Sequence, residues 1–149
     1  MRAVEKVLTY ITYQNRLLVF RHVDFPDAGI QVPGGSIHKG EHPRDAALRE
    51  AREESGLSGF HSTVFLGTAD FDLRASGKDE IHHRYFFHLE YDQPVEECWR
   101  HAEIYASDGT PGPIWFEFYW TQLPDGVPDL TGEQGALLPV LIQRFPKSG

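Results

Sequence analysis

Three glutamates within five residues, Glu50, Glu53 and Glu54, are the side chains best suited to chemistry in this chain. They fall in a run of good helix formers that predicts a helix from Arg44 to Ser55. At about 100° per residue, the three carboxylates share an arc of roughly 100° on one helix face. Carboxylates so close repel one another unless a cation intervenes, and Mg²⁺ prefers such oxygen ligands. The spacing therefore indicates either a divalent-cation site or an acidic face exposed to water.

The residues around this helix fit both its ends and a ligand site. Pro43 stands where the first helical turn tolerates proline, and Gly56 stands just past the end, where glycine is common. A glycine-rich loop that ends in Gly34 and Gly35 precedes the helix. Because glycine has no side chain, this backbone can come close to a cation or a phosphate.

The charge of the chain limits how it can bind an anion. The 149 residues carry 14 Lys and Arg against 22 Asp and Glu, a formal net charge of −8, with no basic block. A phosphate-binding surface made of side-chain cations alone is therefore not expected, nor is a nucleic-acid polymer as partner. If the substrate is an anion, a metal ion is the obvious means of neutralising it.

The single cysteine and the absence of long apolar runs narrow the class of protein. Cys98 can form no disulfide within the chain, and a cage of cysteines around zinc is excluded. We assign its thiol no catalytic role. The first residues lack the apolar run of a signal peptide, and no stretch approaches membrane-spanning length. These features predict a cytoplasmic protein without a membrane segment.

The remaining segments predict an α+β fold. Runs rich in β-branched and aromatic residues predict strands at Val7–Tyr13, Arg16–His22, Ser62–Gly67, His82–Glu90 and Ile114–Leu123, the first two forming a hairpin. Thr131 and Gln134 resemble a capping box that starts a C-terminal helix, and Pro139 predicts a kink or a restart within it. This order of elements fits α+β better than a regular βαβ repeat.

The segment from Gly34 to Leu57, GGSIHKGEHPRDAALREAREESGL, resembles the Nudix box in every specified position. The matching residues are Gly35, Glu41, Arg49, Glu50, Ala51, Glu53, Glu54, Gly56 and Leu57. Seven fixed residues at about 7% usage each coincide by chance at roughly one position in 10⁸. The resemblance implies a single Nudix domain over residues 1–149, with a mixed β-sheet between the box helix and a C-terminal helix.

The resemblance also implies roles for the residues of the box. The metal ligands would be Glu50, Glu53 and Glu54, with the backbone carbonyl of Gly34 added, and the ion would be Mg²⁺ or, as a substitute, Mn²⁺. Arg49 would orient the glutamates through ion pairs, and Glu41 and Gly35 would support the site. His38 stands where many members carry another glutamate. It is interpreted as a metal or phosphate contact, or as an exposed loop residue without a role.

The activity implied by the resemblance is hydrolysis of a phosphoanhydride bond by a metal-activated water. The substrate would be a small nucleotide, a nucleoside diphosphate linked to another moiety, and a homodimer is left open. A different reading of the same resemblance is a Nudix-fold module that senses a nucleotide without turnover. The stretch Asp72–Ala75 lacks the proline or tyrosine diagnostic of some subfamilies, so the sequence does not identify the substrate.

Several residues outside the box are candidates for the site. The resemblance implies a further carboxylate late in the chain, as base or as metal ligand, and our candidate is Glu117, inside the aromatic run WFEFYW. Glu103 and the Glu96–Glu97 pair are also candidates, and Glu117 could instead face outward on an edge strand. His82 and Arg84 share one strand face, opposite His83, and one of them could contact a phosphate. Of the aromatic residues, we expect most to lie in the core and leave one base-stacking residue open: Trp99, Trp115, Tyr119 and Trp120.

Overall fold

The computed structural model describes residues 1–105 and 111–145. The strands within these residues are β1 (Arg2–Tyr13), β2 (Arg16–His22), β3 (Gly34–Ser36), β4 (Ser62–Asp72), β5 (Glu80–Glu90), β6 (Cys98–Tyr105) and β7 (Pro111–Gln122). The α-helices are α1 (Pro43–Ser55) and α2 (Leu138–Ile142). No helix among the described residues is long and apolar enough to cross a membrane.

Helix α1 begins and ends as its sequence predicts. The ring Nδ1 of His42 accepts a hydrogen bond from the backbone N–H of Arg44 at 3.1 Å, which satisfies one of the free donors of the first turn. Pro43 occupies that first turn. Gly56 adopts the left-handed conformation with φ 79° and donates to the carbonyl of Arg52, a common way to end a helix.

The strands form one mixed sheet in the order β4-β5-β1-β2-β7-β6. Strands β1 and β5 are parallel, and the other neighbours are antiparallel. Strands β1 and β2 pair only beside their turn, at Thr12–Leu17 and Tyr13–Arg16. Farther along, β3 pairs with β1, and Gln31 bridges to Phe20 of β2. The two central strands therefore separate and leave room between them.

Alternating side chains bury both faces of the sheet. One core cluster packs under α1, where Ala46, Ala47 and Ala51 meet sheet residues such as Val7 and Phe118. The other packs under the C-terminal segment and includes Leu8, Tyr10, Val19, Phe86 and Leu141. The sheet thus lies between the box helix and a C-terminal segment that contains α2, and the predicted α+β sandwich is confirmed.

The C-terminal segment differs in detail from its prediction. Thr131 caps no helix: it begins a 3₁₀ turn, Thr131–Glu133, that lacks a side-chain cap. The Gln134 side chain instead accepts a hydrogen bond from the backbone N–H of Val32 at 2.8 Å. The capping-box prediction is therefore wrong. The helix restarts at α2 with Pro139 in its first turn, as the proline predicts.

Several strands differ from the sequence pattern: β3 lies in the predicted glycine-rich loop, β6 has no predicted counterpart, β1 begins at Arg2 rather than Val7, and β4 extends beyond its predicted end at Gly67. A register shift between Phe65 and Gly67 lets β4 continue along β5 to Asp72. Bulges of this kind bend a strand without ending its pairing. These differences arise from pairing with a neighbouring strand rather than from local sequence.

Buried His88 on β5 supports a prediction about pH. Its Nδ1 accepts from Nε of Arg144 at 3.0 Å, so the ring is neutral and its Nε2–H faces Oγ1 of Thr12 at 2.7 Å. Burial lowers the pKa of His88 to about 4, whereas the unfolded chain takes up this proton near its ordinary value of about 6.5. The stabilising contribution is therefore complete above pH 6.5 and is lost as the pH falls towards 4.

We expect the wild type to lose about 1–2 kcal/mol more unfolding free energy than His88→Gln between pH 7.5 and 5.0, measured in urea. Equal losses in the wild type and His88→Gln would contradict the prediction.

Candidate active site

Helix α1 presents its glutamates to the glycine-bearing strand β3. Glu50 is 2% exposed and Glu54 is 6% exposed, whereas the Glu53 side chain is 51% exposed. An oxygen of Glu54, Oε1, accepts a hydrogen bond from the backbone N–H of Gly34 at 2.6 Å. The carboxylates of Glu50 and Glu54 are therefore buried against β3, and that of Glu53 is partly exposed to solvent.

Arg49 joins the loop to the helix. Its Nε and Nη2 atoms each donate to the carboxylate of Glu41 at 2.9 Å, and Nη2 also donates to the carbonyl of Ser36 at 3.0 Å. Its Nη1 donates to Oε1 of Glu50 at 2.6 Å and to Oε2 of Glu53 at 3.5 Å. The Arg49 hydrogen bonds lower the pKa of Glu41 to about 2, so this carboxylate is ionised and fixed.

Burial makes a negative charge on Glu50 or Glu54 unfavourable. Burial raises the pKa of Glu50, although the Arg49 guanidinium opposes the shift. Burial also raises the pKa of Glu54 well above its usual range, and the charges of Glu103, Glu50 and Glu53 add to this effect. Nearby positive charge would therefore favour ionisation of both groups.

These residues fit a divalent cation by their donor chemistry. Oε2 of Glu50 is buried and has no hydrogen-bond partner, so a carboxylate oxygen remains for a ligand. Within residues 1–105 and 111–145, no three Asp, Glu, His or Cys side chains are arranged to hold a metal ion. In this arrangement Glu50 and Glu53 both contact Arg49, and Glu54 faces Gly34.

Both glycines of β3 are required by close approach. A Cβ atom added to Gly35 would lie 2.4 Å from Cδ and 2.5 Å from both oxygens of the Glu50 carboxylate. A Cβ on Gly34 would lie 2.4 Å from the carbonyl oxygen of Val7. The Glu50 carboxylate thus occupies the space that a side chain at position 35 would fill.

A cavity of about 260 Å³ opens where β1 and β2 separate. Its lining includes Gly34, Gly35 and the carboxylates of Glu54 and Glu103, together with the aromatic residues Phe20 and Phe116. A second depression, next to Arg49, Glu50 and Glu53, is also lined by Glu103. Glu103 therefore borders both openings, although the sequence pattern favours Glu117 over it.

The structure does not bring Glu117 to the box glutamates. Its neighbours Phe116 and Phe118 lie in the core cluster under α1, so Glu117 points to the opposite face of β7. There its Oε1 accepts from Nη2 of Arg21 at 2.8 Å and its Oε2 accepts from Nε of Arg100 at 3.3 Å. These arginines, Arg21 first, lower its pKa.

In the Glu96–Glu97 pair, Glu97 is engaged by a different arginine. Its Oε2 accepts a hydrogen bond from Nη1 of Arg16 at 2.8 Å, and its side chain is largely exposed. The backbone carbonyl of Glu96 accepts from the indole N–H of Trp120 at 3.0 Å. Neither residue lines the cavity or the depression beside the box glutamates.

The histidines and Arg84 divide as strand alternation predicts. His82 and Arg84 both line the cavity, whereas His83 bonds to the carboxylate of Asp70. His38 is exposed, its backbone N–H donates to Glu41 at 3.0 Å, and it borders the second depression. Cys98 is exposed at the start of β6.

The aromatic candidates serve mainly the core. Trp99 stacks on Phe118 with ring centroids 5.5 Å apart, and Trp120 is buried in the cluster under α1. Tyr119 packs against the opposite cluster, and Trp115 is exposed. The aromatic rings that line the cavity come from other positions, Phe20, His22 and Phe116.

This fold and this set of residues are those of the NUDIX domain. The family model of that domain matches residues 5–105, more than half of the chain. The chain therefore belongs to the NUDIX family, as the box predicts.

Two relatives show how far the sequence similarity extends. Nudix hydrolase 26, chloroplastic, of Arabidopsis thaliana is 29% identical over 126 residues, which cover 75% of this chain and 54% of that protein. An RNA pyrophosphohydrolase of Cereibacter sphaeroides is 38% identical over 50 residues, 34% of this chain and 31% of that protein. The matches thus span about half of the first relative's length and a third of the second's.

Solved structures show the same fold at lower sequence identity. The MutT NUDIX hydrolase from Burkholderia pseudomallei has a TM-score of 0.65 at 21% identity, covering 95% of this chain and 99% of that one. The Bacillus subtilis pyrophosphohydrolase BsRppH has a TM-score of 0.63 at 19% identity, covering 98% and 83%. The NUDIX domain of Shewanella oneidensis NrtR, complexed with ADP ribose, has a TM-score of 0.66 at 16% identity, covering 97% and 89%.

Proposed function

We propose that this chain is a Mg²⁺-dependent hydrolase that cleaves a phosphoanhydride bond in a nucleoside diphosphate linked to another moiety. The observation that carries the proposal is the buried Glu50 carboxylate, which has a partnerless oxygen and lies in the same acidic cluster as Glu54. Glu54 itself lines a cavity with room for part of a small molecule. The names of the relatives, a Nudix hydrolase and an RNA pyrophosphohydrolase, agree with this class of reaction.

The residues proposed to hold the cation are Glu50, Glu53 and Glu54, with the backbone carbonyl of Gly34. When bound, Mg²⁺, or Mn²⁺ in its place, neutralises phosphate oxygens and lowers the pKa of a water molecule. A bound cation would favour ionisation of the buried carboxylates, and their mutual attraction would be strong in an environment of low dielectric. The absence of side chains at Gly34 and Gly35 leaves room for the Val7 carbonyl and for the Glu50 carboxylate beside the proposed cation site.

Arg49 and Glu41 are proposed to position the acidic cluster. The bidentate pair fixes the guanidinium, which in turn directs Oε1 of Glu50 and leaves Oε2 for the cation. Because Glu41 and Ser36 lie before α1 and Glu50 lies on it, the arginine also sets the distance between loop and helix. Preorganisation of this kind avoids rearranging charges during the reaction.

We propose Glu103 as the further carboxylate that accepts a proton from the attacking water. It borders both the cavity and the depression at Glu50 and Glu53, and its charge raises the pKa of Glu54. We expect Glu103→Gln to lower kcat by about 100-fold or more at saturating Mg²⁺, because a general base typically contributes on the order of 10²- to 10⁴-fold.

The matched comparison is Glu117→Gln, which changes the carboxylate on the opposite face of the neighbouring strand. Under this proposal Glu117→Gln retains a kcat within about twofold of the parent, since its partners are Arg21 and Arg100. A large loss in Glu117→Gln together with an active Glu103→Gln would restore Glu117 as the base and overturn the assignment of Glu103.

The proposed function is tested by a substrate screen with metal control. Nucleoside triphosphates, nucleotide sugars, ADP-ribose, dinucleoside polyphosphates and a 5′-triphosphorylated oligonucleotide are incubated with Mg²⁺ or Mn²⁺, and released phosphate or nucleotide is followed. We expect hydrolysis of at least one small nucleotide, loss of activity with chelator, and recovery when Mg²⁺ is restored.

Other results of the screen would change the assignment. Nucleotide binding by calorimetry without turnover would favour the sensor module instead. Preference for the oligonucleotide would overturn the expected small-molecule substrate. Light scattering on the same preparation reports whether the chain forms the homodimer that the sequence leaves open. A cytoplasmic location is a separate part of the proposal.

A further inference from the structure

Arg84 on β5 is a buried cation without a carboxylate in contact. Only 7% of Arg84 is exposed to solvent. Its guanidinium lies 4.2 Å from the centroid of the Phe71 ring, and its Nη1 donates a hydrogen bond to the carbonyl of Gly132. Among the ion pairs of the described residues, none includes Arg84. Glu133 acts on the Arg84 charge only from beyond ion-pair distance.

Such an arrangement is costly unless an anion completes it. A guanidinium does not lose its proton in proteins, so burial cannot be relieved by neutralisation. Buried charges are nearly always paired, because removal from water is strongly unfavourable. The Phe71 ring and the Gly132 carbonyl hold the group in place but carry no net charge. The fixed guanidinium is therefore prepared for an anionic partner.

Lys6 and His82 lie beside Arg84 in the lining of the same cavity. Lys6 is the direct partner of Arg84 in the β1–β5 register, and His82 precedes Arg84 by two residues on the same strand face. Nε2 of His82 lies 2.7 Å from Oε1 of Glu80, which leaves the other ring nitrogen for a ligand. All three line the cavity that Glu54 and Glu103 border. Burial lowers the pKa of His82, and the charges of Lys6 and Arg84 add to this effect.

We propose that Arg84, with Lys6 and His82, binds a phosphoryl group of the substrate that is distinct from the bond being cleaved. The planar fork of an arginine suits the oxygens of a phosphate, and the donors not used by Gly132 can serve it. The proposal rests on the proposed function and narrows it. The expected substrate is a nucleotide with two anionic parts. Its phosphoanhydride lies at Glu50, Glu53 and Glu54, and a separate phosphoryl group enters the cavity and contacts Arg84.

Binding of inorganic phosphate without metal tests this subsite independently of turnover. The protein, with Glu53→Gln to abolish metal-dependent activity, is titrated with phosphate in chelator while arginine Nε–H resonances are followed by NMR. We expect a saturable shift of the Arg84 signal. We also expect phosphate affinity, measured by calorimetry, to fall by about 10-fold or more in Arg84→Met. Arg74→Met, which removes an exposed arginine paired with Asp72, should bind phosphate like the parent.

Each outcome of the titration decides the assignment. An Arg84 signal that does not respond to phosphate overturns the proposal, and this measurement needs no variant at position 84. A response to adenosine or guanosine, but not to phosphate, also overturns it and assigns the cavity to a nucleobase. A response to acetate equal to that to phosphate would overturn the phosphoryl group in favour of a carboxylate.

Kinetics with a substrate from the screen provide the second measurement. Arg84→Met should raise KM by about 10- to 100-fold and change kcat by less than about threefold, because the contact is present before and during the reaction. Arg84→Lys keeps the charge without the fork and should give a smaller increase in KM. An unchanged KM in Arg84→Met would contradict the proposal, whereas absence of all hydrolysis would contradict the proposed function alone.

Discussion

Replacing Glu54 with glutamine is expected to lower kcat by about three orders of magnitude while the fold remains intact. Loss of one proposed metal ligand removes charge neutralisation and water activation together, an effect of several kcal/mol on the barrier. Glutamine keeps the shape of the side chain and can still accept the hydrogen bond from Gly34. Glu53→Gln is expected to act in the same direction, although its carboxylate is largely exposed.

The stability of the same variant distinguishes a metal site from a structural role. Because burial and three neighbouring carboxylates raise the pKa of Glu54, a neutral side chain should leave metal-free stability unchanged or higher. Urea unfolding in chelator measures this, and kcat at saturating Mg²⁺ measures the loss of activity. Asp92→Asn, which changes an exposed carboxylate in a separate depression, is the control and should behave like the parent.

A solvated acidic face predicts the same small stability gain with no loss of activity. Full turnover by Glu53→Gln or Glu54→Gln in excess chelator would therefore overturn the metal mechanism. Loss of activity accompanied by a large loss of metal-free stability would instead assign Glu54 a structural role. The two measurements together separate these three explanations.

Gly35→Ala is expected to lower kcat by at least about 100-fold and to destabilise the fold by about 1–3 kcal/mol. The added methyl would lie within 2.5 Å of the Glu50 carboxylate, so that side chain must move. Movement would separate Glu50 from Arg49 and shift the oxygen proposed to bind the cation. A displacement of about 1 Å near a reacting centre can cost a factor of this size.

A double-mutant cycle tests the steric origin of this effect. In a Glu50→Ala background the methyl group at position 35 meets no carboxylate, so Gly35→Ala should cost little further stability. Urea unfolding of the four proteins gives the coupling energy. Equal destabilisation in both backgrounds would show that the backbone, and not Glu50, requires glycine at this position.

The elements that the sequence predicts well are those determined by local chemistry. Helix α1 has a proline in its first turn and a glycine past its end, and the structure uses both. The central strands are recognisable because apolar side chains fill both faces. The capping box at Thr131 is misleading because Gln134 bonds to Val32, 102 residues away in sequence. No local pattern reveals such a contact.

The late carboxylate is only partly predictable from sequence. In WFEFYW, Phe116 and Phe118 belong to the core under α1, so strand alternation directs Glu117 away from the box helix. Finding Glu103 requires strand β6, which pairs with β7 in a register that local sequence does not reveal. The cavity is equally inaccessible to sequence reasoning, because it exists only where two paired strands separate.

The 3₁₀ turn at Thr131–Glu133 and the Gln134 that follows it have a consequence for evolution. Gly132 holds Arg84, and Gln134 lines the cavity, yet both lie beyond residues 5–105 that match the family model. Mutation can therefore reshape the far wall of the cavity without altering the acidic box. A library randomised at this turn and selected on different nucleotides would explore new preferences while conserving the acidic box.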